Sequence, residues 1–136
     1  MRIFLDANIL FSAAKSAGAV RHLLQRLENV GHTLCIDAYV EFEARRNLES
    51  KAAGSVCTFD ELIERCELAP VPSRVQSASW NPLLPEKDRP VLAAAIRLQC
   101  EILVTGDRTH FGALFGRTID GVTIHSPRSL AEHLSL

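Results

Sequence analysis

The run "ILVTGDRTHF", Ile102 to Phe111, carries strand-forming residues into Gly106 and a bare carboxylate, Asp107. Ile102 to Thr105 is apolar or β-prone at every position, the pattern of a strand buried on both faces of a parallel sheet. The start of the chain repeats the event, where "RIFLDANIL" runs Ile3-Phe4-Leu5 into Asp6. Open parallel sheets gather ligands at the carboxyl ends of their strands. Two strands that each end in aspartate therefore suggest one shared site, and its other members should stand at the same edge.

Outward from these strands, helical and strand patterns alternate. Asn8 to Ala14 continues the first strand as a helical turn. Val20, Leu23, Leu24 and Leu27 share one face of a helix over Ala19–Val30, which Gly31 closes. Thr33–Ile36 reads as a second strand, and Asp37 as the cap of a helix over 38–53 that Gly54 ends. Thr58 and Glu61 match a capping box ahead of Leu62, Ile63 and Cys66, and Leu68–Val71 reads as a short strand. Pro70 to Lys87 holds four prolines and is the one long irregular segment. Val91–Gln99 is apolar nearly all round and predicts a buried helix, Val122–Ile124 a strand, and Ser126-Pro127 the start of a last helix. This alternation predicts a single α/β domain with a mainly parallel sheet and right-handed crossovers.

Composition bounds the function. The 136 residues suffice for one domain with a real core, and a formal net charge of −1 argues against holding nucleic acid by bulk positive charge. A local basic rim is compatible with it. No apolar run approaches the roughly 20 residues of a membrane span, and the amino terminus enters a strand without a secretion pattern. Cys35, Cys57, Cys66 and Cys100 form no C-x-x-C pair and read as reduced thiols of a cytoplasmic protein.

Further acids come into range at the strand ends. Glu41 and Glu43 both lie in the first turns of the helix after the second strand, about 200° apart, so only one faces inward. Glu43 shares a face with Tyr39 and Asn47, and Glu41 one with Asp37 and Arg45. Asp88 opens the buried helix that feeds the Ile102 strand, where it serves either the site or merely as a helix cap. Acids converging in one crevice repel by roughly 4 kcal/mol per pair at about 4 Å and an effective dielectric of about 20. Such a cluster holds protons or a cation, and an all-oxygen set suits Mg2+ or Mn2+. The chemistry this supports is metal-assisted phosphodiester hydrolysis.

With these residues the chain resembles the PIN-domain family of nucleases. "FLDANIL" is similar to the family's opening strand with Asp6, and "EARRNL" to its glutamate helix, where a glutamate five before a leucine selects Glu43 before Leu48. "KDRPVLAAA" is similar to the D-x-x-x-L-x-x-A segment, giving Asp88, and "LVTGD" to the strand bearing Thr105 and Asp107. The resemblance implies one PIN-like domain over residues 1–136, folded as a Rossmann-like three-layer α/β/α sandwich. It implies a Mg2+- or Mn2+-dependent endoribonuclease whose metal and catalytic residues are Asp6, Glu43, Asp88 and Asp107, supported by Asn8 and Thr105. It also implies a homodimer, and for many members of this size a VapC-like toxin whose antitoxin partner threads an arm across the acidic groove. A fifth acid found in some members has no obvious counterpart, since Asp120 sits in "TIDGV", which reads as a turn.

Arg45, Arg46 and Arg108 are candidate RNA phosphate contacts, with a solvated surface as the plain alternative. Lys15 and Arg21, after the first strand, are basic in the same way. His110 either assists a proton or packs beside Phe111. Trp80 stacks a base, anchors a partner or packs locally. Other classes fit less well. A haloacid-dehalogenase-like phosphatase wants a second aspartate at position 8, which is Asn8, and a receiver-like domain wants an acidic pair after its first strand. A catalytically degenerate PIN module acting only as a binding partner is the alternative that keeps the fold without the chemistry.

Overall fold

The computed structural model describes every residue from Met1 to Leu136. Six strands form one sheet: β1 (Arg2–Leu5), β2 (Thr33–Asp37), β3 (Glu67–Ala69), β4 (Ile102–Val104), β5 (Thr118–Ile119) and β6 (Val122–His125). Six α-helices accompany them: α1 (Ala7–Lys15), α2 (Ala19–Asn29), α3 (Ala38–Lys51), α4 (Val56–Glu64), α5 (Arg89–Arg97) and α6 (Pro127–His133). The strand order is β3-β2-β1-β4-β6-β5. All pairings are parallel except β5 with β6. This is the mainly parallel α/β sandwich that the alternation predicts.

The chain winds from β1 through β2 to β3, then returns to lay β4 on the other side of β1. Right-handed crossovers place the helices between β1, β2 and β3 on one face and α5 on the other. The order reverses between β1 and β4, whose register pairs Ile3 with Ile102 and Leu5 with Val104. That reversal opens a crevice at the carboxyl ends of these two strands. Their residues Ile3, Phe4, Leu5, Leu103 and Val104 have no exposed surface, as a central strand covered on both faces requires.

Several local expectations are corrected. α4 begins at Val56, so Thr58 and Glu61 lie inside it and form no capping box; a 3-10 turn at Ala53–Ser55 winds directly into the helix, and no side chain caps it. α3 stops at Lys51, before Gly54. The third strand is Glu67–Ala69, shifted by one residue at its start and ending before Pro70. β5 escapes the sequence patterns because it has only two residues, yet "DG" is a strong hairpin signal. Asp120 and Gly121 take φ of 47° and 85°, a two-residue turn with both central residues left-handed. This turn precedes β6, so Asp120 lies at the amino-terminal edge of the sheet, opposite the ends of β1 and β4.

The proline-rich segment is tied down at its second half. Trp80 and Leu84 are buried in the core, and Arg89 Nε donates to the carbonyls of Asn81 (2.9 Å) and Leu84 (3.1 Å). Trp80 therefore packs locally, with no ring face free for a base. All four cysteines are free thiols. No helix is long and apolar enough to cross a membrane.

Candidate active site

The crevice between β1 and β4 is built from two short connections that lock onto each other. Asp6 ends β1 and caps α1: its Oδ1 accepts from Ala7 N at 2.7 Å. Thr105, fully buried one residue past β4, donates its hydroxyl to Asp6 Oδ2 at 2.8 Å and accepts from Asp107 N at 3.1 Å. Asn8 closes the set. Its amide nitrogen reaches Asp6 Oδ2 and Thr105 Oγ1, both at 3.2 Å, and its Oδ1 accepts from Gly106 N at 2.8 Å. A Cβ at position 106 would stand 3.3 Å from Asn8 Oδ1, so glycine permits this close approach. The two residues expected as supports, Asn8 and Thr105, thus orient the two strand-end acids.

Beyond β4, Asp107 Oδ1 accepts from the backbone N–H groups of Thr109 and His110, both at 3.0 Å. This leaves Oδ2 for other contacts. Phe111 is fully buried and anchors the turn. Asp88 is at the capping position of α5, yet its side chain caps nothing; the reading of Asp88 as only a helix cap does not hold. Its Oδ2 meets His110 Nδ1 at 2.9 Å, and Asp107 Oδ2 meets the same nitrogen at 3.0 Å. Neither contact has hydrogen-bonding angles, and Asp88 Oδ2 and His110 Nδ1 are covered from solvent without a hydrogen-bond partner.

The acids open onto one cavity of about 250 Å³. Asp6, Glu43, Asp88 and Asp107 all line it, so the structure brings together the four acids singled out in the sequence. It also separates Glu43 from Glu41, whose carboxylate pairs with Arg45 at 3.4 Å outside the cavity. Arg45, a candidate RNA contact, is turned to α4 instead: it pairs with Asp60 at 2.9 Å and lies over the Phe59 ring. Arg46 and Arg108 are exposed and do not line the cavity. Besides Ala7, four lining residues were not expected at the site: Phe11, Asn47, Lys51 and Lys87. The signal was present for two of them, since Glu43, Asn47 and Lys51 recur every four residues along α3, one face of a helix.

Electrostatics reports the crowding. Burial, reinforced by the charges of Glu43 and Asp88, raises the Asp6 pKa from 3.8 to about 6, although the hydrogen bonds from Thr105 and Ala7 pull it down. Asp88 is also raised, chiefly by burial and further by Asp107, against the opposing pull of His110 and Lys87. Tyr39, whose hydroxyl donates to Lys87 O at 2.7 Å, is raised by burial and then by Glu43, Asp88 and Asp6. Asp6 makes no salt bridge, although it is only 5% exposed. A buried acid without an organic counter-charge, Asp6, beside covered polar atoms without partners, fits a divalent cation.

A mainly parallel sheet with an acidic crevice at its switch point defines the class to which the chain is assigned. Residues 2–109 match the PIN domain family, and the chain belongs to it. Among curated proteins none matches in sequence. Three solved structures share the fold. VapBC2 from Rickettsia felis, bound to a promoter DNA fragment, aligns over 93% of this chain and 98% of its own at 18% identity and a TM-score of 0.65. VapBC-1 from nontypeable Haemophilus influenzae aligns over 94% and 99% at 15% identity and a TM-score of 0.60. VapC20 of Mycobacterium tuberculosis, a toxin that cleaves the Sarcin-Ricin loop, aligns over 87% and 97% at 11% identity and a TM-score of 0.58.

Proposed function

We propose that this PIN domain is a Mg2+- or Mn2+-dependent endoribonuclease and the toxin of a toxin–antitoxin pair. The observation that carries this reading is the convergence of Asp6, Glu43, Asp88 and Asp107 on one cavity, with Asp6 buried and unpaired. Those four side chains would hold the cation, which when bound supplies Lewis-acid activation of water and phosphate. Thr105 and Asn8 fix the orientation of Asp6 and hold Gly106 close, so the carboxylates are set before substrate arrives.

The rest of the cavity suits an RNA strand. Lys51 stands eight residues, about 12 Å, along α3 from Glu43, and Lys87 adjoins Asp88. Both can take phosphates on either side of the acids, and Phe11 offers a ring to a base. Lys15 sits 5.7 Å from the centre of that ring and adds charge at the same end. The net charge of −1 thus coexists with a local basic rim. An RNA substrate agrees with the activity of VapC20, and an antitoxin partner with the VapBC likeness. The same family resemblance supports a homodimer acting in the cytoplasm, which sedimentation of the purified chain checks for assembly.

Purified protein should cleave single-stranded RNA with Mn2+ or Mg2+ and stop when the ion is chelated. A chain that binds neither ion and cuts no RNA is the degenerate binding module instead. Growth arrest on expression, relieved by the product of an adjacent small reading frame, tests the toxin role.

A further inference from the structure

We propose that His110 is itself a ligand of the divalent cation, and that its nitrogen makes the site select Mn2+ over Mg2+. The proposal rests on the acidic-site reading and adds to it a donor that is not an acid.

The geometry comes first. The Nδ1 atom of His110 lies 2.9 Å from Asp88 Oδ2 and 3.0 Å from Asp107 Oδ2, and the three donor atoms fall within 4.8 Å of one another. Adjacent ligands of an octahedral ion with bonds of about 2.1 Å stand roughly 3.0 Å apart, the bond length times the square root of two. An imidazole held by a plain ion pair would aim its N–H at one oxygen. Here neither contact has that alignment, and both Asp88 Oδ2 and His110 Nδ1 are covered and without a hydrogen bond. Donor atoms held this close without hydrogen bonds among them form a set that one ion can bind.

The position is also fixed. Asp107 Oδ1 accepts from the His110 backbone N–H, and the next residue, Phe111, is fully buried. The ring is thereby directed into the cluster. Of the two acids after Asp107, Asp120 is at the far edge of the sheet and Glu132 is exposed and paired with Arg128. His110 is the later donor grouped with Asp88 and Asp107. Replacing one oxygen donor by imidazole penalises Mg2+, which prefers oxygen, more than Mn2+, which accepts nitrogen.

A protonated His110 acting as built-in counter-charge makes the opposite prediction, because it would compete with the cation. Calorimetric titration of the full chain with Mn2+ alone and with Mg2+ alone separates the two. As a ligand, His110→Ala weakens Mn2+ binding by about tenfold or more, and Mg2+ binding by less. His110→Asp restores binding but moves the preference towards Mg2+. Pulsed electron paramagnetic resonance of bound Mn2+ should show nitrogen coupling that His110→Ala removes. Mn2+ binding that is unchanged or tighter in His110→Ala overturns the proposal alone. A wild-type chain that binds neither ion, like Asp107→Asn, overturns the acidic-site reading and this proposal with it.

Discussion

Asp6 and Asp37 have nearly the same local chemistry and opposite circumstances. Each follows or ends a parallel strand, each is buried, at 5% and 2% exposure, and each caps the next helix. Asp37 Oδ1 accepts from Val40 N, and its Oδ2 lies 3.6 Å from Arg97 of α5. Asp6 has no cation beside it; its neighbours in charge are Glu43 and Asp88. Arg97 lowers the pKa of Asp37 against the rise from burial, while Asp6 is pushed further in the same direction as burial. A buried acid with a cation is completed by the fold, and one surrounded by acids is completed by something bound.

The strongest way to break this contrast is through activity. Asp6→Asn keeps a competent cap and should lower Mn2+-supported RNA cleavage by roughly a thousandfold, about 4 kcal/mol of transition-state stabilisation. Asp37→Asn should leave the rate within a few-fold. Equal losses in the two variants would erase the distinction.

Next is the pH dependence of stability without metal. A carboxyl whose folded pKa lies above its unfolded one binds its proton more tightly in the native state, so ionisation costs native stability. For Asp6 that loss runs from pH 3.8 to about 6 and is complete above it. Urea unfolding in chelator should find Asp6→Asn more stable than wild type by about 3 kcal/mol at neutral pH, with the gap closing towards pH 4. Saturating Mn2+ should reverse the order, because only the wild type keeps the full site.

A smaller effect is expected at the other acid. Arg97→Ala removes the counter-charge of Asp37, but Arg97 is 34% exposed, so solvent screens part of the interaction. A destabilisation of about 1–2 kcal/mol at neutral pH should shrink in acid as Asp37 takes a proton. Smallest of all, Asp37→Asn should shift stability by less than about 1 kcal/mol, since asparagine holds the cap. A larger change in denaturant midpoint would give the Asp37 charge a role the fold does not require.

Much of this was legible in the chain itself. The central strands β1 and β4 are short and wholly apolar, and each runs into an acid, so both the sheet and the two strand-end aspartates could be read directly. The long helices announced themselves by spacing and caps. The capping box at Thr58 misled, because a preceding 3-10 turn supplied the helix start that a side chain would otherwise provide. Arg45 misled for a related reason: sequence shows a charge but not its partner, and Asp60 lies on another helix. His110 could be read as a proton carrier three past Asp107, but its contact with Asp88 spans separate connections and was not legible.

By itself the sequence determined the alternation of apolar strands and amphipathic helices, and with it a parallel sheet with acids at two strand ends, because burial and helical period are local properties. Only the tertiary structure decided which acids face one another, that Asp88 turns from capping to the cavity, and that His110 meets both Asp88 and Asp107. Charges act over a few ångströms of space, and residues separated by up to about a hundred positions meet there only after the crossovers have brought β1 and β4 side by side.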